Sequence, residues 1–340
     1  MTLDKAIVDQ SDLHKLCRDR SLKTKELFKP NSFYGIDYII KKYSAIPPNK
    51  ALKIIFPHGV SLSNNFVWKE EKNAIIPCVY SYSPHRYKIY ENETNKVVLP
   101  AASPFVYLAE LLNQQPNPER EGTIFFPAHS THHVTSIMNF EKLADDLEQF
   151  DDKYKPISVC IYWRDFNLGR HKIFEEKGFR IVSAGHMFDP CFLFRLYHLC
   201  STHKYSISNE LGSHLFYSVK SGCSFFFMNY KQMVRKATGS ILERDVATPD
   251  QTTVNNLLRL FSKPTEKPTN EQLHIVDDFL GVKNFKTPDE LRKELEFADR
   301  LDKFGFSRHP ESKKMYYRMP NLIPRRLLRA IKRKLMNGNK

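Results

Sequence analysis

Residues 204–230 have the sequence KYSISNELGSHLFYSVKSGCSFFFMNY. Polar and apolar residues alternate over 204–208, as in a short strand, and the turn-favouring run SNELG follows. Apolar residues then recur at helical spacing from Leu211 to Val219, Gly222 is placed to end the helix, and 224–228 is an apolar run of strand length. This stretch therefore predicts a strand, a tight turn, a helix and a second strand, which together form a βαβ unit.

The turn of this unit lies at the carboxyl end of its first strand, where open α/β sheets bind their ligands. A helix that begins at Gly212 and Ser213 offers free backbone N–H groups and the positive end of its dipole to an anion. We expect Ser208, Ser213 and the 211–213 amides to hold a phosphate group there. A capped helix in any α/β domain has the same local pattern and is the alternative.

Strand and helix patterns alternate along residues 122–230 and predict a mostly parallel sheet with helices on both faces. Right-handed crossovers place the loops 128–133, 164–170, 185–189 and 208–213 on one rim of that sheet. Because these loops hold most of the polar candidates, we expect a nucleotide-binding domain. The predicted nucleotide and phosphate contacts are His129, Ser130, Thr131, His132, His133, His186, Ser208, Asn209, Gly212, Ser213 and His214.

The three histidines at 129, 132 and 133 follow the strand pattern GTIFF and allow two functional interpretations. Metal ligands three or four residues apart can converge on one ion. No Asp, Glu or Cys lies within the cluster to complete a zinc shell, so we favour a nucleotide clamp where the strand opens into a helix, and we expect no bound metal. A helix cap by Ser130 or Thr131 is the structural alternative.

Residues 52–56 form an apolar strand pattern that runs directly into Pro57, His58 and Gly59. Gly59 allows a sharp turn that leaves the imidazole projecting from the carboxyl end of the strand. Because the pKa of histidine lies near neutrality, His58 is the candidate general base. A solvated loop histidine is the alternative.

Two further strand patterns, at 74–82 and 96–100, complete a small α/β domain with the first. His85 and Arg86 follow the earlier of these strands and are candidates for contact with an anionic group. Gly59, His85 and Arg86 are therefore the further candidate contacts of this first domain.

The polar run NQQPNPERE at 113–121 contains two prolines and has no apolar periodicity. We place a domain boundary there. The prediction is an N-terminal domain over 1–115, a nucleotide-binding domain over 116–265 and a C-terminal helical region over 266–340.

The composition describes a globular protein of 340 residues that is 41% hydrophobic. Its six cysteines include no CxxC pair, and Cys160 and Cys223 lie in apolar strand patterns, so we expect buried thiols in a reducing compartment. The chain has no secretory signal pattern and no uncharged apolar run of about 18 residues, which predicts a cytoplasmic protein.

Most of the net charge of +14 lies at the carboxyl end. Residues 313–340 hold ten Lys or Arg and no acidic residue, whereas the rest of the chain carries 42 basic and 38 acidic residues. The segment PRRLLRAIKRKLM at 324–336 has an apolar face and a basic face, which favours a helix lying in an anionic membrane surface over a nucleic-acid tail. The predicted membrane-surface residues are Arg325, Arg326, Arg329, Lys332 and Arg333.

Three motifs carry a resemblance to a known group: the HG pair at 58–59, FPAHSTHH at 126–133, and SNELGSHLFYSVKSGC at 208–223. The chain resembles GT-B glycosyltransferases of bacterial capsule and lipopolysaccharide biosynthesis, of the capsule-synthesis, Kdo-transferase and sialyltransferase-like kind. The HG pair is also similar to that of CDP-glycerol glycerophosphotransferases. The resemblance covers about residues 35–235.

The resemblance implies two Rossmann-like domains that face each other across a cleft, with C-terminal helices. It places the acceptor on the first domain, with Gly59, His85 and Arg86 on the acceptor side. It places the donor nucleotide on the second domain, at the nucleotide and phosphate contacts predicted above. It also implies that His58 deprotonates the acceptor hydroxyl, that His129 approaches the donor phosphate, and that the turn with Ser208, Gly212, Ser213 and His214 holds that phosphate. It implies no metal and no other cofactor.

The sequence therefore predicts a metal-independent glycosyltransferase, peripheral at the inner membrane. It would move a sugar from a nucleotide-activated donor to a lipid-linked or surface polysaccharide acceptor by in-line displacement. A CDP-polyol phosphotransferase is one alternative, and a non-catalytic nucleotide- or glycan-binding scaffold of a polysaccharide assembly complex is another. No nucleic-acid partner is expected.

Overall fold

The computed structural model describes residues 4–63, 66–112, 119–131, 134–228, 234–237 and 249–306. Within these ranges the chain is an α/β protein with two parallel sheets, which confirms the α/β part of the predicted fold class. The division into two GT-B-like domains at the predicted boundaries stays a prediction.

The first sheet has three parallel strands in the order β1-β2-β3. Helices connect the strands, and an N-terminal segment of short helices precedes them. The elements are α1 (Lys5–Val8), α2 (Leu13–Cys17), a 3-10 helix (Lys29–Gly35), α3 (Ile36–Tyr43), β1 (Ile54–Ile55), α4 (Lys69–Asn73), β2 (Cys78–Ser81), α5 (Pro84–Glu93), β3 (Val97–Pro100) and α6 (Pro104–Leu112).

The second sheet has five parallel strands in the order β7-β6-β4-β8-β9. The predicted strand, helix and strand of the 204–230 stretch are confirmed as β8 (His203–Ser208), α11 (Ser213–Lys220) and β9 (Ser224–Phe227). The elements are β4 (Glu121–Phe126), β5 (Val134–Ile137), α7 (Phe140–Glu148), a 3-10 helix (Asp152–Tyr154), β6 (Ile157–Cys160), α8 (Trp163–Asn167), α9 (Lys172–Glu176), β7 (Arg180–Val182), α10 (Phe192–Thr202), β8 (His203–Ser208), α11 (Ser213–Lys220), β9 (Ser224–Phe227) and β10 (Val234–Ala237).

The strand β5 corrects one prediction. We expected a helix to open directly after the histidine cluster, but the chain continues into β5, which pairs antiparallel with β10 and aligns Val134 with Ala237. Val, Thr and Ile in this segment favour an extended backbone because branching at Cβ restricts their side chains in a helix. The predicted strand-to-helix clamp, and the predicted helix cap by Ser130 or Thr131, were therefore wrong in their local structure.

Residues 249–306, the described part of the chain after the second sheet, contain three α-helices. They are α12 (Gln251–Leu260), α13 (Asn270–Leu280) and α14 (Pro288–Lys303), with a 3-10 turn (Val282–Asn284) before the last. Capping boxes at Thr269 and Thr287 open α13 and α14, as their sequences predict. In α14, Glu294 accepts a hydrogen bond of 2.9 Å from the Tyr80 hydroxyl, which ties the helix to β2 of the first sheet.

A single apolar cluster lies between the two sheets and contains side chains of both. Ile54 and Tyr80 enter it from the first sheet, and Ile124 and Phe126 enter it from β4 of the second. Phe125 points to the opposite face of β4, into a separate cluster. Burial of each such apolar side chain stabilises the fold by about 1.5–3 kcal/mol. The shared layer therefore holds the two sheets together.

Candidate functional site

The strand order of the second sheet locates its binding crevice. The chain enters at the central strand β4, builds outward through β6 and β7, and then returns to the other side of β4 with β8 and β9. In open parallel sheets this reversal opens a crevice at the carboxyl ends of the strands on either side of it. The loop after β4 and the turn after β8 form that crevice here.

The turn after β8 is held together by its own side chains. The Ser208 hydroxyl donates to the Phe126 carbonyl at 2.7 Å and accepts from the Glu210 N–H at 3.0 Å. The side-chain Oδ1 of Asn209 accepts from the Ala128 N–H at 2.8 Å and so joins the turn to the loop after β4. Both side chains are buried. Ser208, which we expected to contact a phosphate, has its proton committed to a carbonyl in this structure.

Ser130 holds the loop after β4 in a similar way. Its N–H donates to Asp165 at 2.8 Å, and its hydroxyl accepts from Arg170 at 2.8 Å and from the Ser136 N–H at 3.1 Å. Asp165 and Arg170 form an ion pair at 2.5 Å. Because Ser130 is fully buried in this network, it stabilises the loop after β4 and does not line the crevice.

Helix α11 begins at the crevice without a side-chain cap. Gly212 is its N-cap residue, and among the described residues no side chain accepts a hydrogen bond from the first turn. The N–H groups of such a first turn carry a partial positive charge. The predicted phosphate-binding turn therefore has the required backbone, although its side chains are used differently from what we expected.

His214 is neutral at neutral pH. Its ring stacks on Phe126 with the centroids 5.3 Å apart, and its Nε2 lies 3.2 Å from the Glu210 carbonyl. Burial, with a smaller contribution from His129, lowers the pKa of His214 to about 3. The side chain consequently offers no positive charge to a phosphate.

His129 lies on the open side of the same crevice. Its side chain is 37% exposed, its Nδ1 is 3.7 Å from a Glu210 carboxylate oxygen, and its ring centroid is 4.6 Å from that of Tyr162. Of the predicted histidine cluster, His129 is the described member that a ligand in the crevice can reach. Thr131 is half-buried beside it. His132 and His133 lie outside the described residues.

The loop that carries His58 reaches the second sheet. Gly59 has a φ of +81°, which provides the sharp turn after the strand. The next residue, Val60, donates its N–H to the Ser213 hydroxyl at 2.8 Å, and a Cβ atom on Gly59 would lie 2.7 Å from the same oxygen. The Tyr82 hydroxyl donates to the Pro57 carbonyl at 2.9 Å and holds the start of the loop. The His58 loop therefore rests on the first turn of α11.

The His58 imidazole is surrounded by rings and has no hydrogen-bond partner among the described residues. Its ring centroid is 5.6 Å from that of Phe33 and 6.3 Å from that of Tyr34. Burial lowers its pKa from the ordinary histidine value, so the ring is neutral at neutral pH. A neutral imidazole without partners can accept a proton from a hydroxyl group placed beside it.

Tyr34 connects this histidine to the crevice, and the sequence analysis missed it. Burial raises the pKa of Tyr34, against an opposing effect of the neighbouring Tyr162 side chain, and the Tyr34 ring packs 4.8 Å from Phe192. Its φ of +60° places a non-glycine residue in the left-handed region, at a cost of about 1–2 kcal/mol. The Tyr34 N–H donates to the Met187 carbonyl at 2.7 Å and helps to maintain that conformation. The neighbouring Gly35 was the one local signal for such a turn.

A small cavity beside His58 brings together two of the three acceptor-side residues. Gly59 and Arg86 line it, and its volume is about 30 Å³. Arg86 is buried and donates to the Phe66 carbonyl at 2.7 Å. His85 is exposed on the first turn of α5 and is absent from the lining. The cavity also contains the buried carboxyl of Glu71, which the sequence analysis did not single out.

His186, a predicted donor contact, is buried and held by protein groups in this structure. Its Nδ1 accepts from the Phe188 N–H at 3.0 Å, its Nε2 is 3.3 Å from Asp19, and its ring packs 4.0 Å from Trp163. The ring is fully buried. His186 therefore anchors the N-terminal segment to the second sheet, a role that depends on residues more than 160 positions earlier in the chain.

The cysteines behave as core residues. Cys160 and Cys223 are buried, and burial raises the pKa of both thiols. The predicted buried thiols are confirmed for this pair. Among the described residues, no group of three or more His, Cys, Asp or Glu side chains is arranged to hold a metal ion.

The basic segment at the carboxyl end, Arg325, Arg326, Arg329, Lys332 and Arg333, lies outside the described residues. Within the ranges that are described, no helix is both long enough and apolar enough to cross a membrane.

Comparison with known proteins gave one weak similarity. No family model and no curated protein matches the chain. Among solved structures, the chain is similar to a mutant of TarM from S. aureus in complex with fondaparinux, alpha-GlcNAc-glycerol and UDP. The identity is 13% and the TM-score is 0.33, and the match covers 81% of this chain and 51% of that one. The chain thus spans about half the length of that protein, and a TM-score this low supports no inference about function.

Proposed function

We propose that this chain is a glycosyltransferase that moves a sugar from a nucleotide-activated donor to a hydroxyl group of a glycan or lipid-linked acceptor. One observation carries the proposal. The loop with the unpartnered His58 docks on the uncapped first turn of α11, through the hydrogen bond of 2.8 Å from Val60 to Ser213. An imidazole that can accept a proton and a helix end suited to an anion therefore lie next to each other, which supports the proposal.

The donor side uses the backbone of α11. A nucleoside diphosphate placed at the crevice directs its phosphate oxygens to the N–H groups of the first turn, where the helix dipole favours negative charge. His129 is exposed on the same side and is the side chain that we assign to the nucleotide. Because the N–H groups are fixed before the reaction, they stabilise the phosphate that leaves without needing a bound metal.

The reaction is an in-line displacement at the anomeric carbon. His58 takes the proton of the acceptor hydroxyl as the oxygen forms its bond to that carbon. The bond from the anomeric carbon to the donor phosphate oxygen breaks, and the electron pair leaves with the nucleotide at α11. The proton then passes from His58 to solvent. Holding both reactants in one cleft removes much of the entropic barrier to this step.

The first experiment is a thermal-shift screen of the purified chain against CMP, CDP, UDP and GDP, with buffer alone as the control. A nucleotide that binds only the native state raises the melting temperature by mass action. We expect a shift with one nucleotide or with a related pair. If none of the four shifts the melting temperature, the donor assignment fails and the scaffold alternative is favoured.

The product then separates the two enzyme classes. The chain is incubated with the sugar and polyol donors of the nucleotide that binds, and the products are identified by mass spectrometry. Transfer of the sugar alone leaves the donor phosphates on the nucleotide. Transfer of a polyol phosphate from a CDP donor releases CMP and places a phosphate in the product, which would contradict the glycosyltransferase proposal.

We further propose that residues 324–336 hold the enzyme at an anionic inner-membrane surface, beside a capsule or lipopolysaccharide acceptor. The support is the sequence: basic side chains surround an apolar face. Removal of residues 320–340 should release the chain from vesicles that contain anionic lipid, as measured by co-sedimentation. Equal sedimentation of the full-length and shortened chains would contradict the membrane assignment.

A further inference from the structure

The cavity beside His58 has polar and aromatic walls that the proposed mechanism does not use. Its volume of about 30 Å³ holds a hydroxyl or hydroxymethyl group, since about 10–15 Å³ of such space holds one water molecule. A whole sugar ring does not fit inside. Its other walls come from the segment around β2 and from helices α4 and α5, and the lining residues that matter here are Trp68, Glu71, Tyr82, Arg86 and Tyr90.

Glu71 supplies the cavity with a carboxyl group suited to a hydroxyl partner. The side chain is 3% exposed, and its Oε2 accepts a hydrogen bond of 3.0 Å from the Tyr90 hydroxyl. Burial raises the pKa of Glu71 to about 7, against an opposing effect of Arg86. Near neutral pH the carboxyl can therefore both donate and accept hydrogen bonds.

The cluster around Glu71 is rigid. The Arg86 guanidinium lies 4.8 Å from the centre of the Tyr90 ring and bonds the carbonyl of Phe66 in the loop before α4. These contacts fix α5 against that loop. A polar group that enters the cavity therefore meets partners already in position, which reduces the entropy cost of binding.

Trp68 forms the boundary between the cavity and solvent. It lines the cavity, yet it is 42% exposed, and its ring packs edge-on against Phe66 at 4.8 Å. An exposed indole face beside buried hydrogen-bonding groups suits a ligand with one apolar face and several hydroxyl groups. A saccharide ring has this chemistry, whereas an open-chain polyol phosphate lacks the rigid face.

We propose that the cavity lined by Trp68, Glu71 and Tyr90 is a saccharide subsite, which takes one hydroxyl or hydroxymethyl group of a sugar whose ring lies against Trp68. His58 lines the same cavity, so another hydroxyl of that sugar faces the imidazole. The role of this sugar as acceptor rests on the proposed function. The binding of a saccharide rests on the cavity alone.

The test uses the full chain and the methyl glycosides of glucose, galactose and N-acetylglucosamine, with binding measured by saturation-transfer NMR titration. We expect at least one glycoside to bind the wild type, and both Glu71→Gln and Trp68→Ala to weaken that binding at least tenfold. Glu70→Gln is the matched control, because Glu70 is the exposed neighbour on the same helix. Gln at position 71 keeps an oxygen for the Tyr90 hydroxyl, and a melting curve of each variant confirms folding.

Two results overturn the subsite. One is the absence of binding by all three glycosides to the wild type, and the other is equal affinity in the wild type and in folded Glu71→Gln and Trp68→Ala. The nucleotide screen on the same samples separates this inference from the proposed function. If a nucleotide binds and no glycoside does, the subsite fails alone. If a glycoside binds with the predicted variant effects and no nucleotide binds, the subsite stands and the donor assignment fails.

Discussion

The turn after β8 and the loop after β1 both meet the first turn of α11, but they use their polar side chains in opposite ways. In the turn after β8, Ser208 and Asn209 bond to neighbouring backbone groups and are buried. In the loop after β1, the His58 imidazole has no hydrogen-bond partner among the described residues, and Val60 reaches across to Ser213. A polar residue that follows a strand thus either completes its own turn or remains available to a ligand.

The reason for the difference is the burial of the backbone. At the centre of the five-stranded sheet, each buried N–H or C=O group needs a partner, and a missing partner costs about 1–3 kcal/mol. Short polar side chains in the turn after β8 supply those partners. The loop after β1 lies at the edge of a sheet with three strands and satisfies itself through Tyr82 and Ser213, which leaves its histidine unbonded.

The largest effect, on turnover, is expected when the loop after β1 loses its contact with the first turn of α11. In Gly59→Ala, the new Cβ meets the Ser213 hydroxyl at 2.7 Å. Either the hydroxyl rotates and loses its hydrogen bond from Val60 or the loop moves, and both outcomes free the His58 loop from α11. A displacement of about 1 Å at a reacting group can lower turnover roughly 10²-fold, and we expect a loss of that order. The measurement is the rate of nucleotide release from the donor identified in the nucleotide screen.

Gly178→Ala is the control for backbone strain. Gly178 has a φ of +79°, close to that of Gly59, but its Cβ would meet no atom within 4 Å. Both variants should lose similar stability from the left-handed backbone, about 1–2 kcal/mol, while only Gly59→Ala loses turnover. Equal turnover in the two variants would show that contact between the loop and α11 is not needed.

An intermediate effect, on stability, is expected in the turn after β8, where the polar side chains already bond to the backbone. Asn209→Ala leaves the buried Ala128 N–H without its partner, so the free energy of unfolding should fall by about 1–3 kcal/mol. Urea denaturation measures the change. Asn255→Ala, on the exposed face of α12, should stay within about 0.5 kcal/mol of the wild type. A loss of nucleotide affinity in Asn209→Ala at unchanged stability would show that this side chain contacts the ligand instead.

The smallest effect at neutral pH is expected from His214. Its effect on the free energy of unfolding increases as the pH falls. The unfolded imidazole takes up a proton as the pH falls through its ordinary value of 6.5, whereas the folded one does so only near pH 3. Because the unfolded state then binds more protons, this residue lowers the free energy of unfolding as the pH falls from about 6.5 towards 3.

His214→Phe keeps a ring against Phe126 and removes that titration. Its free energy of unfolding, followed by denaturation between pH 7.5 and 4, should fall less steeply than that of the wild type. Parallel curves for His214→Phe and the wild type would contradict the neutral, buried state of His214.

The local elements of the fold were predictable from sequence, and the contacts between distant segments were not. Alternation over 204–208, helical spacing to Val219 and the stop at Gly222 are local, and β8, α11 and β9 follow them. The pairing of β5 with β10 joins residues about 100 positions apart, and short strands of this kind carry little periodicity of their own.

The candidate site shows the same division. His58 and Gly59 were identifiable because a glycine after an apolar strand indicates a turn that exposes its neighbour. Ser130 was assigned to a ligand because its true partners, Asp165 and Arg170, come from another loop. Tyr34 was missed because its role depends on a left-handed backbone and on Tyr162, and neither is visible in the residues around it.

The most direct test of the account is a paired measurement on His58→Ala, with turnover of the identified donor and the dissociation constant of its nucleotide determined on the same preparation. His85→Ala, on the exposed turn of α5, serves as the control and should match the wild type in both. We expect turnover in His58→Ala to fall on the order of 10²–10⁴-fold, as for the loss of a general base, with nucleotide affinity unchanged. Wild-type turnover in folded His58→Ala would contradict the account, because the region with the unpartnered side chain would then have no part in the reaction.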